Sequence, residues 1–128
     1  MSIIRFPIRF EGSLGERILY ALFDSGASYS GIHPDLASEL GHVEKLPRPM
    51  IFATASAGHF LEVNETIRCE FYLDELRLSD EFLVIPDLSE EVIIGVNTLQ
   101  KWKIKLDFEA ERPIIEARIA KMILNPRL

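Results

Sequence analysis

A run of apolar residues leads directly into an acidic turn in the first quarter of the chain. Residues 18–23 read Ile-Leu-Tyr-Ala-Leu-Phe, and Asp24-Ser25-Gly26 follow at once. A strand of this kind buries its side chains and fixes the backbone, so it holds the carboxylate at its end in place. Gly26 permits a sharp turn that a Cβ would resist, and Ser25 can hydrogen-bond backbone groups within it. Asp-Ser-Gly alone is ordinary turn chemistry, and it is the preceding strand that favours a functional role for Asp24.

A second apolar run ends in a glycine and is followed by a short amphipathic segment. Residues 92–95 read Val-Ile-Ile-Gly, residues 96–102 are predicted to form a helix, and residues 104–108 alternate as a closing strand. Gly95 follows Asp24 by 71 positions (95 − 24). At this spacing the two motifs together resemble the retroviral-type (retropepsin-like) aspartic proteases over roughly residues 3–108.

The resemblance implies a fold and an assembly. The expected fold is mainly β, a single-lobe closed β-barrel with one or two short helices, assembled as a two-fold homodimer. Residues 1–108 would form the retropepsin-like domain. Residues 109–128 lie beyond the point where a retroviral enzyme would stop, and we expect them to be a C-terminal extension of the same domain, a hairpin strand plus a tail.

The resemblance also implies a site. One Asp24 from each chain would form a catalytic dyad, with Ser25 and Gly26 in the catalytic motif and Ser25 bracing the partner's loop. Ala27 would touch substrate. A hairpin over residues 50–60 stands where the family has its flap, and a plain surface hairpin is the alternative there. The small residues at its tip are the expected substrate contacts: Thr54, Ala55, Ser56, Ala57 and Gly58. No metal or organic cofactor is expected.

Some positions depart from the retroviral pattern. Ser28-Tyr29 stand where retroviral enzymes have acidic residues, and Val96 stands where they have Arg. The ion pair that links those positions in the family is therefore absent. These differences resemble the cellular and bacterial branch of the family more than the viral one.

Composition narrows the class of partner. The net charge of −6 and the lack of a basic run argue against a nucleic-acid partner. Cys69 is the only cysteine, so no intrachain disulfide can form, and the three histidines show no metal-ligand spacing. We find neither a signal-peptide layout nor an apolar run of membrane-spanning length. A cytoplasmic protein without a membrane or nucleic-acid partner is expected.

The remaining segments give a coarse secondary structure. A strand over residues 4–10 has an edge or irregular position at Pro7, and a helix over residues 34–40 begins with a proline and ends before a glycine. Further predictions are a linker bracketed by Pro47 and Pro49, a strand over 67–73, a strand over 76–85 broken at 79–81, a turn at Arg112-Pro113 and a returning strand over 114–119. The other aspartates are expected to be solvated: Asp35, Asp74, Asp80, Asp87 and Asp107.

The sequence therefore favours an aspartic endopeptidase that acts on a polypeptide substrate as a homodimer. The alternative with the same fold is a non-catalytic peptide-binding or regulatory dimer. The retained Asp24 argues against that alternative, because a binding module has no need of a presented acid. A third possibility is an unrelated β-rich interaction domain, which a monomeric protein would favour.

Overall fold

The computed structural model of the chain describes residues 3–53, 58–116 and 118. Across these residues the chain forms strands and two short helices. In chain order they are β1 (Ile3–Glu11), β2 (Glu16–Asp24), β3 (Gly31–Ile32), α1 (Pro34–Leu40), β4 (Glu44–Ala53), β5 (Phe60–Leu73), β6 (Leu76–Val84), β7 (Val92–Ile94), α2 (Val96–Trp102), β8 (Ile104–Asp107) and β9 (Arg112–Ile115).

Six of the strands close into a barrel. Their order is β1-β2-β7-β3-β6-β5, and pairing of Phe10 in β1 with Phe71 in β5 completes the ring. β4 adds to the outer edge of β5, and β8 and β9 form a separate two-stranded sheet. The predicted mainly-β closed barrel with two short helices is confirmed.

The barrel interior is filled by aromatic and aliphatic side chains from alternate strand positions. Phe10, Phe71 and Phe82 are fully buried, and their rings lie 5.5 to 6.1 Å apart between centroids. Each such side chain contributes roughly 1.5–3 kcal/mol when it is fully buried. The core therefore holds the barrel strands rigidly, including β2, which ends at Asp24.

The two helices follow their sequence signals. α1 has Pro34 in its first turn, and His33 caps it by accepting a hydrogen bond from the Asp35 N–H through Nδ1 at 3.1 Å. α2 ends at Trp102 and is capped by Lys103, which adopts the left-handed conformation. Trp102 is buried in the core and donates its indole N–H to the Ser79 carbonyl at 2.9 Å, so it has a structural role.

Three prolines lie where one side of a strand is open, namely Pro7, Pro47 and Pro49. Pro7 pairs with Tyr20 of β2, and pairing with β5 begins only at Arg9, so one side of β1 is open at Pro7 as predicted. The linker prediction at Pro47 and Pro49 is wrong, because both residues lie within β4. β4 is an edge strand whose register shifts between Lys45 and Met50, and the missing N–H groups are tolerated there.

The predicted break in β6 is also wrong. The strand runs through Ser79-Asp80-Glu81, and each of these residues pairs with β5. Polar side chains here do not end the strand, because the backbone keeps its pairing with β5 at every one of these residues.

The C-terminal hairpin is present, but its turn lies earlier than predicted. The Asp107 carboxylate accepts the N–H groups of Glu109 and Ala110 at 3.0 and 3.1 Å, so the chain reverses before Arg112. Arg112 therefore begins β9, and Ile115 at the end of that strand belongs to the core. The part of the returning strand predicted beyond residue 116 lies outside the described residues, apart from residue 118.

Neither helix in the described part of the chain is long and apolar enough to span a bilayer.

Candidate active site

Asp24 is the last residue of β2, a strand in the wall of the barrel. The strand lies between β1, which runs antiparallel, and β7, which runs parallel, so its backbone is paired on both sides. Ala21 and Phe23 are fully buried, whereas Asp24 is only half-buried at the end of the strand. The sequence prediction of a carboxylate presented on a rigid strand end is consistent with this placement.

The turn after β2 is closed by Asp24 itself. One carboxylate oxygen, Oδ1, accepts the Gly26 N–H at 2.8 Å, and the Asp24 carbonyl accepts the Ala27 N–H at 3.2 Å. Ser25 and Gly26 are exposed and Ala27 is half-buried. The carboxylate is therefore fixed relative to the turn that carries it.

The segment after this turn is fastened to the start of α2. The Val96 N–H donates to the Ala27 carbonyl at 2.7 Å, and the Asn97 N–H donates to the Ser28 carbonyl at 3.2 Å. Gly95 makes this approach possible, because a Cβ at that position would lie 2.5 Å from the carbonyl oxygen of Tyr29. The two motifs found in the sequence thus meet in space, and the glycine of the second supports the acid of the first.

A chain of buried polar groups continues from the same point. The Ser30 hydroxyl accepts the Gly95 N–H at 2.9 Å and lies 2.6 Å from the Thr98 hydroxyl, which donates to Asp80 Oδ2 at 2.7 Å. The prediction that Asp80 is simply solvated is therefore wrong. Sequence reasoning missed Ser30 and Thr98, although hydroxyls among buried strand and helix residues were the available signal.

The hairpin predicted as a flap lies beside the Asp24 turn. β4 and β5 pair up to Ala53 and Phe60, and the ring of Phe52 contacts the ring of Tyr29 at 5.6 Å between centroids. Gly58 adopts a positive φ of 78°, which suits a glycine in a tight turn. The other predicted contacts of the tip lie outside the described residues: Thr54, Ala55, Ser56 and Ala57.

An open hollow of about 530 Å³ adjoins the Asp24 turn at Ser25. Ser25 forms one border, and apolar side chains of α2 and β8 form much of the floor. Phe108 lies at its rim and is 51% exposed. The full lining is Ser25, Val96, Leu99, Gln100, Lys103, Ile104, Lys105, Leu106 and Phe108.

The Cys69 thiol and the His33 imidazole, which could also be reactive, have structural roles. Burial raises the pKa of the Cys69 thiol to about 11, so this cysteine is a poor nucleophile near neutral pH. The imidazole of His33 caps a helix rather than orienting a serine. In residues 3–53, 58–116 and 118, no group of three or more His, Cys, Asp or Glu side chains is arranged to hold a metal ion.

The solved structures that are similar to this fold include a domain of Ddi1 and the EIAV protease. The retroviral protease-like domain of Ddi1 from Leishmania major matches with a TM-score of 0.69 and 21% identity, over 91% of this chain and 90% of that chain. The EIAV protease, solved in complex with the inhibitor HBY-793, matches with a TM-score of 0.58 and 18% identity, over 83% of this chain and 93% of that chain. At these identities the likeness concerns the fold.

The sequence itself gives the assignment. A family model described as "Retroviral aspartyl protease" matches residues 16–120, which include the Asp24 turn, Gly95 and the C-terminal hairpin. The match covers most of the chain and agrees with the barrel architecture. This chain therefore belongs to the retroviral aspartyl protease family.

Proposed function

We propose that this protein is an aspartic endopeptidase that cleaves polypeptides as a homodimer, with one Asp24 from each chain at the shared site. The observation that carries the proposal is the support of Asp24. It ends a core strand, its own carboxylate closes the turn, and that turn is bonded to the start of α2. A carboxylate that served only to solubilise a loop would not need this support.

One chain supplies half of the required chemistry. Peptide hydrolysis by the aspartic route uses two carboxylates around one water, and like charges a few ångströms apart keep one of them protonated. The corresponding strand end after β7 carries Gly95-Val96 and no acid. A two-fold axis beside Asp24 would bring in the second carboxylate from another copy.

The dyad then performs acid–base catalysis. The ionised carboxylate takes a proton from the water as the water attacks the peptide carbonyl, and the protonated carboxylate polarises that carbonyl. The first carboxylate then gives the proton that it took from water to the leaving nitrogen as the C–N bond breaks, and the second carboxylate recovers a proton from the collapsing diol. In this proposal Ala27 and the hairpin tip, residues 54–58, contact the peptide, and Ser25 braces the partner's turn.

The second copy is proposed to cover the hollow beside Ser25. Its apolar floor and the exposed ring of Phe108 form a surface that association would remove from water. This surface is continuous with the Asp24 turn, so covering it would bring the two acids toward the axis. The C-terminal hairpin, residues 104–116, would contribute to the interface. A cytoplasmic location stays a prediction from the sequence.

The shared site predicts that cleavage per chain falls on dilution. Activity should decline below the dimer dissociation constant, because monomers lack the dyad. Phe108→Lys should move that decline to a chain concentration at least about tenfold higher, since it removes an apolar contact of roughly 1.5–3 kcal/mol. The measurement is specific activity against chain concentration, with sedimentation of the same samples.

Leu14→Lys is the matched control. Leu14 is 57% exposed, close to the value for Phe108, but it lies in the turn between β1 and β2. This variant should leave the dilution curve in place. Specific activity that stays constant down to concentrations where only monomer sediments would contradict the shared site. An equal shift by both variants would place the interface elsewhere.

A further inference from the structure

Two buried hydroxyls lie between the candidate active site and β6. Ser30 is 4% exposed and Thr98 is 1% exposed, and both are hydrogen-bonded. Buried polar groups are costly unless they are paired, so a linked set of them restricts the local structure to one arrangement. The set begins at the Gly95 N–H and ends at the Asp80 carboxylate.

The direction of these hydrogen bonds follows from the carboxylate. An ionised carboxylate only accepts, so the single proton of the Thr98 hydroxyl points to Asp80 Oδ2. The 2.6 Å contact between the hydroxyls must then use the Ser30 proton, with Thr98 as acceptor. Ser30 has a lone pair left, and it accepts the Gly95 N–H. Asp80 therefore sets the direction of every hydrogen bond in this series from Asp80 through Thr98 and Ser30 to the Gly95 N–H, which we call the relay.

Asp80 is itself held from several directions. Its Oδ1 accepts the Glu81 N–H at 2.8 Å and lies 3.6 Å from the Lys101 ammonium group. Its side chain is only 19% exposed. Next to it, the Ser79 carbonyl accepts the Trp102 indole N–H. The start and the end of α2 are thus both bonded to one stretch of β6.

We propose that Asp80 is a positioning residue for the Asp24 turn, acting through the Thr98 and Ser30 hydroxyls on Gly95. Gly95 lies directly before Val96, whose N–H holds the Ala27 carbonyl three residues after Asp24. A shift of Gly95 would therefore move the catalytic turn. The inference rests on the proposed function for its catalytic consequence, whereas the relay is a separate structural claim.

Thr98→Val tests the relay, because valine keeps the shape of threonine and removes its hydroxyl. We expect the Gly95 amide to exchange with solvent at least about tenfold faster than in the parent, measured by NMR on the full chain. Thr98→Ser restores the hydroxyl and should stay within about threefold of the parent. Amides of the β1–β2 ladder serve as the internal reference for global stability.

Asp80→Ala provides a second, independent variant. It should speed exchange of the Gly95 amide with solvent as Thr98→Val does. In the double variant this amide should exchange no faster than in either single variant, because both substitutions break the same relay. Unchanged protection of Gly95 in both single variants would overturn the relay. Additive effects would also overturn it, since they would mean that Asp80 and Thr98 act separately.

The catalytic consequence has its own readout. Thr98→Val should lower kcat by about tenfold or more with little change in KM, because the turn that carries Asp24 is displaced while the peptide-binding surface is kept. Thr98→Ser should recover most of kcat. A normal kcat in a variant whose Gly95 amide is exposed would overturn the positioning role. If the parent cleaves no peptide, the proposed function fails, and the exchange data still decide the relay.

Discussion

Replacement of Asp24 by Asn is expected to abolish peptide cleavage and to leave the fold and the dimer intact. Asn keeps the size of the side chain, and its amide oxygen can still accept the Gly26 N–H that closes the turn. It cannot exchange a proton with water or with the second carboxylate of the dyad. General acid–base catalysis contributes about a hundredfold to ten-thousandfold, so the loss should be at least of that order.

Cleavage of a casein-type substrate by parent and variant at equal concentration measures this loss, and sedimentation checks the dimer. Asp35→Asn is the matched control, because the Asp35 side chain is 91% exposed and lies in α1. It should cleave like the parent. Asp24→Asn activity within about tenfold of the parent would contradict the dyad. A parent that binds peptides and cleaves none would support the non-catalytic alternative.

The second large effect is expected for Gly95→Ala. The added Cβ would lie 2.5 Å from the Tyr29 carbonyl oxygen and 2.8 Å from the Ala27 carbonyl oxygen. Both neighbours are backbone atoms of the segment after Asp24, so a rotamer change cannot relieve the clash. Overpacking of this kind costs about 1–3 kcal/mol, and here the segment that must move carries the acid. We expect lower stability in denaturant unfolding and a loss of cleavage of at least about a hundredfold.

Gly15→Ala is the control for the glycine substitution. A Cβ there would meet only the Glu39 carbonyl oxygen, at 3.4 Å, and Gly15 has no positive φ. Stability and cleavage should stay close to those of the parent. If Gly95→Ala behaves like Gly15→Ala, the contact between α2 and the Asp24 segment does not support the site.

Strong local sequence signals were sufficient to predict the secondary-structure elements around the candidate site. Each of these elements is encoded within a short segment: the apolar strand that ends at Asp24, Gly95, and the helix that joins Gly95 to the closing strand. The structure has each of them. Apolar runs and alternation within each segment were enough to identify these strands, although Ile18 and Tyr20 of β2 are exposed. The closed barrel was expected from the resemblance that these motifs carry, whereas the contact between the two motifs became visible only in the structure.

The parts that were missed depend on distant partners. Asp80 is separated from Thr98 by 18 positions and Ser30 from Thr98 by 68, and nothing within either segment indicates that these side chains meet. The two prolines of β4 were misread because an edge strand tolerates a residue without an N–H, and edge position is a property of the assembled sheet. The polar run in β6 likewise suggested a break in the strand, but backbone pairing with β5 continues through it.

The contribution of two chains to one site can be measured by mixing them. Parent chain and Asp24→Asn chain are combined in varying ratio at constant total concentration, well above the dimer dissociation constant, and allowed to exchange subunits. If each site needs both acids, only parent–parent dimers cleave, and activity follows the square of the parent fraction. An equal mixture should then retain about a quarter of the parent activity. Activity proportional to the parent fraction, about half in that mixture, would show that each chain has a complete site and would contradict the shared dyad.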